Sequence, residues 1–392
     1  MKYNFDELIN RKNTHSIKWS GDFLLSHGIA KRFDEKTIPL FTADMDFQSP
    51  QEVISALQNV VNRKIYGYSS HETDPAYFQA IISWFKRRNN WDISREEIIY
   101  VNGTVEAVKL AVLAFSKKKQ GVIIQRPVYS PFSKIIEKTG RQLINNQLIN
   151  NNGYYTIDFE DLKKKAEQKN NKILILCSPH NPVGRVWTKD ELLKISEICL
   201  KNDVVIIADE IHGDILRKKV KFTPIASIAD QSNIISCTAI NKTFNLAGIQ
   251  CTNVIIKKPK MRKIFSETAG HILPTPFAVS ALISAYNKGE DWLNQVNEYI
   301  TSNIDWSIEF LKNNMPKLKV YRPEGTYMLW MDFSKYGLSD QEIKTRIYDK
   351  ANVILQSGSD FDPDKGHSFE RICLPCPRIL LEKAFERIAT EF

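Results

Sequence analysis

Five short apolar runs in the middle of the chain limit what it can fold into: "GVIIQ" (121–125), "KILILC" (172–177), "DVVIIADE" (203–210), "NIISCTA" (233–239) and "TNVIIK" (252–257). None alternates strictly between apolar and polar residues, which is the pattern of strands covered on both faces. Helical periods lie between them. In "TKDELLKISEICLK", Thr188 and Glu191 have capping-box spacing, and Leu192, Ile195 and Cys199 fall on one helical face. Strand, helix and strand in succession build a mostly parallel sheet with helices on both sides, and ligands of such sheets gather beyond the carboxyl ends of the strands.

The last third changes character. "DWLNQVNEYITSNIDWSIEFLKNN" is a long amphipathic stretch, "TYMLWMDFS" reads as a strand, and "SDQEIKTRIYDKA" returns to helical period. We read an α/β chain with a large domain over 49–285, a smaller α+β domain over 286–392, and an N-terminal segment, 1–48, that joins the small domain. A length of 392 residues with 43% hydrophobic and 25% charged residues suits such a globular pair. No apolar run approaches the ~20 residues that cross a bilayer, and "MKYNFDELINRKNTHS" has no signal-like apolar core, so a cytoplasmic protein with no membrane partner is expected. The net charge of +9 comes from short scattered basic runs without interleaved aromatic residues, a solvated surface rather than a nucleic-acid footprint. Six cysteines read as free thiols. Cys373 and Cys376 alone form a C-x-x-C, with no second pair or clustered histidine to complete a zinc site, so no metal is expected, while a redox role stays open.

Polar residues at several strand ends stand out. In "YVNGTVEAVKLAVLAF" a strand ends at Asn102 and a helix starts near Thr104, with Val105, Val108, Ala111, Val112 and Phe115 inward. Gly103 lets the backbone turn, so that the amides of Gly103, Thr104 and Val105 point out at the positive end of the helix dipole; this is a seat for phosphate, or an ordinary capped helix. "IIADEIHGDI" delivers Asp209, Glu210 and His212 after an apolar run. A carboxylate so poorly solvated wants a cation, whether a protonated ring nitrogen or a neighbouring Lys or Arg. "CSPHNPVGRVW" holds Asn181 in a proline-fixed turn as an amide donor, and "QRPVYSPF" holds Tyr129 where it can stack on a planar ring or simply pack. In "TAINKTFNLAGIQ", Lys242 sits among small, hydroxyl and amide side chains, where partial burial makes a lysine a nucleophile or proton carrier. A phosphate seat, a buried carboxylate, an amide donor, a stacking ring and a lysine at the ends of one sheet meet the needs of pyridoxal 5′-phosphate.

The same words occur together in a known family. The chain resembles the fold-type I (aspartate aminotransferase-like) pyridoxal-phosphate enzymes of the class I/II aminotransferase superfamily, and within it the MalY/PatB-type cystathionine β-lyases, or C-S lyases. The likeness runs nearly end to end, through "THSIKWS", "LFTADMDFQSP", "IYGYSS", "RPVYSPF", "CSPHNPVGRVW", "ADEIHGDI", "NKTFNLAGIQ" and "EGTYMLWMDFS". "N-P-x-G", "D-E-I-H" and "K-T-F-N-L-A-G" mark the superfamily; "KWS", "ADMDF" and "PHNPVGRVW" favour the lyase branch. The resemblance implies that Lys242 is the Schiff-base lysine, Asp209 the partner of the pyridine nitrogen, and Asn181 the donor to the ring's hydroxyl oxygen and a substrate contact. It puts His212 where many relatives have Tyr, Tyr129 on the ring, and Gly103, Thr104, Val105 and Thr238 at the phosphate. Tyr68 is similar to a tyrosine that reaches the neighbouring subunit's phosphate, which implies a homodimer with the active site at its interface. Arg371 falls at the substrate-carboxylate position, and the backbone at Ala43 passes close to the substrate. Asn241 stands where Ser usually binds phosphate, Cys373 where Asn is usual, and Arg126 adds charge beside Tyr129. The implied reaction is β-elimination from a sulfur amino acid such as L-cystathionine or a cysteine S-conjugate, giving a thiol, pyruvate and ammonia. Two other readings remain open here: an aminotransferase, which returns the proton to the cofactor carbon, and a regulator-binding protein with accessory lyase activity.

Overall fold

The protein, seen in a computed structural model, is described over residues 2–229 and 233–392. Its centre is a seven-stranded sheet of β1 (Ile98–Val101), β2 (Gly121–Ile124), β3 (Gln142–Asn145), β4 (Asn171–Cys177), β5 (Val205–Asp209), β6 (Ile234–Ala239) and β7 (Thr252–Ile255). The spatial order is β1-β7-β6-β5-β4-β2-β3. Neighbours from β3 through β6 run parallel, and β7 alone opposes both of its neighbours. All five apolar runs are therefore strands of one mostly parallel sheet. The last is reversed because residues 240–251 hold only the short helices Ile240–Thr243 and Ala247–Ile249, which return the chain beside the strand end it just left.

Two apolar layers cover this sheet. On one face, helix α1 (Thr104–Phe115) lays Val108, Ala111 and Val112 against Ile175, Ile207, Ile235 and Val254. On the other, Leu174, Leu176, Ile206 and Ala208 meet Leu192, Ile195 and Cys199 of helix α2 (Lys189–Lys201). Val105 departs from the inward set expected for α1: it is 43% exposed, and Thr104 is buried in the first turn instead.

Beyond the long helix α3 (Glu290–Asn314) lies a second, antiparallel sheet of β8 (Lys319–Val320), β9 (Met328–Asp332), β10 (Gln356–Ser357) and β11 (Phe369–Cys373), in the order β8-β9-β11-β10. The helical period at 339–351 is an α-turn, Asp340–Lys344, that widens into the π-helix Thr345–Lys350. The N-terminal chain is stitched onto this part: Ile38 and Pro39 pair with Val353 and Ile354, and Cys373 N donates to Leu40 O at 2.9 Å. Among the described residues no helix is long and apolar enough to cross a membrane.

The capping box of α2 is formed as the spacing predicts, with Glu191 N on Thr188 Oγ1 at 3.2 Å and Thr188 N on Glu191 Oε2 at 2.7 Å. Thr188→Ala removes one acceptor and is expected to cost about 1 kcal/mol of stability. A thermal melt should register the loss while cofactor content stays unchanged.

Candidate active site

Strand register decides which side chains can meet. Cys177, Asp209 and Cys237 are paired across β4, β5 and β6, and paired residues share a face of the sheet. Asp209 thus leaves the carboxyl end of β5 on the face covered by α1. It is buried, and the hydrogen bond it takes comes from Ile211 N at 3.3 Å. Burial raises its carboxyl to about 7, against the opposing pull of Lys242.

The start of α1 lies on the same face. Gly103 has φ +93°, and a Cβ there would come within 2.3 Å of Gln250 Oε1, so glycine alone makes the turn from β1 into the helix. Thr104 Oγ1 is 3.0 Å from Thr252 Oγ1, beside first-turn amides that have no acceptor within the helix. Thr238 does not join them. It follows Cys237, so its side chain points to the opposite face, where its hydroxyl lies 3.5 Å from Asn253 O and lines a small space with Glu210, Gly213, Asp214 and Phe222. Thr252 is paired with Ala239 on the Asp209 face, and its buried hydroxyl is the one that Thr104 meets. Opening an apolar run, it carried no signal of its own; only the strand pairing reveals it.

Lys242 lies in the one-turn helix that follows β6, partly accessible yet closely surrounded by protein. Burial lowers the pKa of its ammonium group; Asp44 and Asp209 pull the other way, and Arg371 adds to the lowering. Its Nζ donates to Ala43 O at 2.6 Å, and that carbonyl also accepts from Tyr327 at 3.0 Å. Two residues back, Phe41 O accepts from Arg371 Nη2. Arg371 also donates from Nη1 to Asn181 Oδ1 at 3.1 Å. A guanidinium only donates, so the amide oxygen of Asn181 must face it and Nδ2 is left as a donor toward the site. Asn241 is arranged similarly, its Oδ1 accepting from Cys251 N at 3.4 Å.

His212 is buried edge-on to Tyr327 at 5.5 Å, with Nδ1 unpartnered among the described residues. Burial, then Lys242 and Arg371, lower its pKa to about 3, so the imidazole is neutral. Tyr129 packs edge-on against Phe132 at 5.6 Å, and its hydroxyl pKa is raised by burial and by nearby Asp209. Arg126 is directed instead to Asp364, at 3.7 Å, and to Ser133. Cys373, two residues from Arg371 on β11, is buried with Sγ 3.8 Å from Phe41 O. Tyr68 stands apart from all of these, fully exposed. The sequence reading also passed over Asn245, which grips residues 45–47 through Met45 N and O, each at 3.1 Å, and Phe47 O at 2.8 Å. A backbone-binding asparagine has no sequence signature.

A buried carboxyl beside a lysine, an arginine and free amides at a helix start forms an anion- and amine-handling site. The profile of aminotransferase class I and II matches residues 35–388, and the chain belongs to that family. Cystathionine β-lyase PatB of Bacillus subtilis is 38% identical to it over 98% of each chain. Among solved structures, a pyridoxal-phosphate-bound putative aminotransferase from Clostridium difficile superposes with TM-score 0.94 at 42% identity, covering 99% of both chains. Cystalysin from Treponema denticola, which contains pyridoxal 5′-phosphate, gives 0.94 at 37% identity over 100% of this chain and 99% of its own. The residues present fit that cofactor. Asp209 lacks a hydrogen-bonded cation among the described residues, as the partner of a protonated ring nitrogen would, and the turn leaves the Thr104 and Val105 amides open for a phosphate, whereas Gly103 N, expected to join them, donates to Val101 O at 2.9 Å.

Without cofactor, Asp209 should weaken the fold as pH rises. Unfolded, it releases its proton near 3.8; folded, it keeps it to about 7, so stability falls across that window. Asp209→Asn is therefore expected to raise the apoprotein's melting temperature at both pH 5 and pH 8, by roughly 1.6 kcal/mol in stability at the lower pH and up to roughly 4 kcal/mol at the higher. Scanning fluorimetry at the two pH values checks this.

Proposed function

We propose that the chain is a pyridoxal-phosphate-dependent carbon–sulfur lyase that eliminates the thiol from L-cystathionine or a cysteine S-conjugate, leaving pyruvate and ammonia. The observation that carries this reading is the Lys242 amine placed on the Ala43 carbonyl, with Asp209 and Arg371 near enough to shift its pKa, in a chain 38% identical to a cystathionine β-lyase. When bound, pyridoxal 5′-phosphate supplies an aldehyde for amines and a ring that accepts electrons. Lys242 would hold the aldehyde and, as a free amine favoured by its lowered pKa, would take the Cα proton of the substrate. Arg371 grips the substrate carboxylate, which suits a guanidinium already fixed by Phe41 O and Asn181. Asp209 would hold a proton on the ring nitrogen, Asn181 Nδ2 would donate to the ring oxygen, and neutral His212 and Tyr129 would supply contacts to the ring. Thr104, Val105 and Asn241 would receive the phosphate, with Gly103 making the turn that frees the two amides and Thr252 in place of Thr238. We also assign 1–48, 49–285 and 286–392 as N-terminal segment, large domain and small domain. Six buried free thiols suit a reducing, cytoplasmic compartment.

Incubated with L-cystathionine, the holoenzyme is expected to release pyruvate, ammonia and a thiol, and Lys242→Ala to cut turnover by about 10²- to 10⁴-fold. An enzyme that instead yields a keto acid one-for-one with an added acceptor keto acid is an aminotransferase, and the lyase reading is lost.

The second reading concerns assembly. Ile65 and Tyr66 are exposed beside Tyr68, an apolar patch that a second copy would cover. We propose a homodimer in which Tyr68 reaches the other subunit's phosphate. Light scattering should give twice the chain mass. Tyr68→Phe should keep the dimer and weaken cofactor affinity about tenfold, as loss of a hydrogen bond to a charged group does; unchanged affinity removes the role.

A further inference from the structure

Lys18 and Trp19 of "KWS" and Asp46 of "ADMDF" have no part in the roles assigned above, yet their side chains meet. Lys18, with no side-chain exposure, places Nζ 2.6 Å from Asp46 Oδ2 and 3.2 Å from Asp44 O. Trp19 Nε1 donates to Asp46 Oδ1 at 2.9 Å. Arg11 donates to that same oxygen at 2.7 Å, to the Asp44 carboxylate, and to Met45 O at 3.1 Å. Two cations and two carboxylates are thus spent on three consecutive residues, and Asp46 N is further tied to Pro375 O at 2.9 Å. Burying so much charge is a poor way to gain stability, since well-packed apolar residues serve as well or better. Its value lies in fixing geometry.

What it fixes is the strap from 41 to 47. The strap carries the two carbonyls of the site: Phe41 O on Arg371 and Ala43 O on Lys242. On its other side Asn245, three residues past Lys242, binds Met45 and Phe47. An ionic cluster outside and the reactive lysine's own turn inside hold the strap between them.

We propose that Lys18, with Arg11 and Asp46, is a positioning clasp for the reaction: it holds the strap so that the Ala43 and Phe41 carbonyls keep the Lys242 amine and the Arg371 guanidinium aligned with each other. This rests on the lyase reading for the identity of the substrate.

Two variants test it. Lys18→Met removes the charge at similar length, and the double variant K18M/D46N also removes the carboxylate left behind. For each, kcat and KM for L-cystathionine are measured per bound cofactor, and the pH midpoint for acetylation of Lys242 in the apoprotein is followed by mass spectrometry. Around that amine stand Asp44, Asp209, Cys373 and Arg371. With the strap loosened, kcat/KM should fall about ten- to a hundredfold, with KM raised and kcat lowered, as small misplacements of reacting groups do. The acetylation midpoint should move to lower pH as the ammonium loses its carbonyl acceptor and the nearby Asp44 charge. A folded variant of either kind with wild-type kcat, KM and acetylation midpoint overturns the proposal. So does failure of both variants to fold, which would make the cluster structural. Should wild-type holoenzyme turn over no cystathionine, the lyase reading falls, while the apoprotein midpoint still decides the clasp.

Discussion

The carboxyl of Asp209, enclosed at the end of β5, is the constraint around which this site is arranged. Its neighbour Glu210 makes the point by contrast. Both are buried and both have raised pKa values, to about 7 and about 8. Adjacent residues of an extended chain point to opposite faces, and Glu210 faces the α2 side, where it accepts from Ile225 N at 2.9 Å and shares a closed space with Thr238. A protonated glutamic acid suffices there. Asp209 faces α1, close enough to Lys242 and Tyr129 for each to feel its charge. The same burial that makes Glu210 a structural acid leaves Asp209 without a partner cation on the face it shares with the start of α1, which suits the role proposed for it.

Much of this was legible in the sequence. Apolar runs without alternation located the strands because burial on both faces leaves no other composition, and the Thr188 box located a helix start because its hydrogen bonds are local. Lys242, Asp209, Asn181 and Arg371 could be singled out because a strand end, an apolar neighbourhood or a known family word marks each. Register was not legible. A shift of one residue moves a side chain to the other face, and that is why Thr238 lies away from Asp209 while Thr252, opposite Ala239 on the next strand, shares its face. The direction of β7 was hidden for a similar reason, since an apolar run looks alike in either orientation.

Contacts made by backbone carbonyls were the least visible. Nothing in "LFTADMDF" says that Phe41 O meets an arginine 330 residues away or that Ala43 O meets a lysine 199 residues away. Any residue provides a carbonyl, so composition is silent about which one is used. The charged residues around the strap are visible as words, but their pairing needs the fold: Lys18 and Asp46 attract notice only once both are seen to be enclosed.

Use of carbonyls has a chemical consequence at Lys242. A group that must accept a proton and release it needs both forms within reach. Burial and Arg371 disfavour the ammonium form, while Asp44, Asp209 and the Ala43 carbonyl favour it. A carboxylate directly on Nζ would tip that balance, because a full opposite charge at hydrogen-bond distance stabilises the ammonium far more than a neutral oxygen does. Here the nearest carboxylate of the strap, Asp44, is engaged by Arg11, and the amine is given a dipole in its place. Tyr327 shares the same carbonyl, which keeps the acceptor partnered when Lys242 moves away. The amine form is thereby easier to reach than on an exposed lysine while the nitrogen stays at a fixed position, which suits the anchor and base proposed for Lys242.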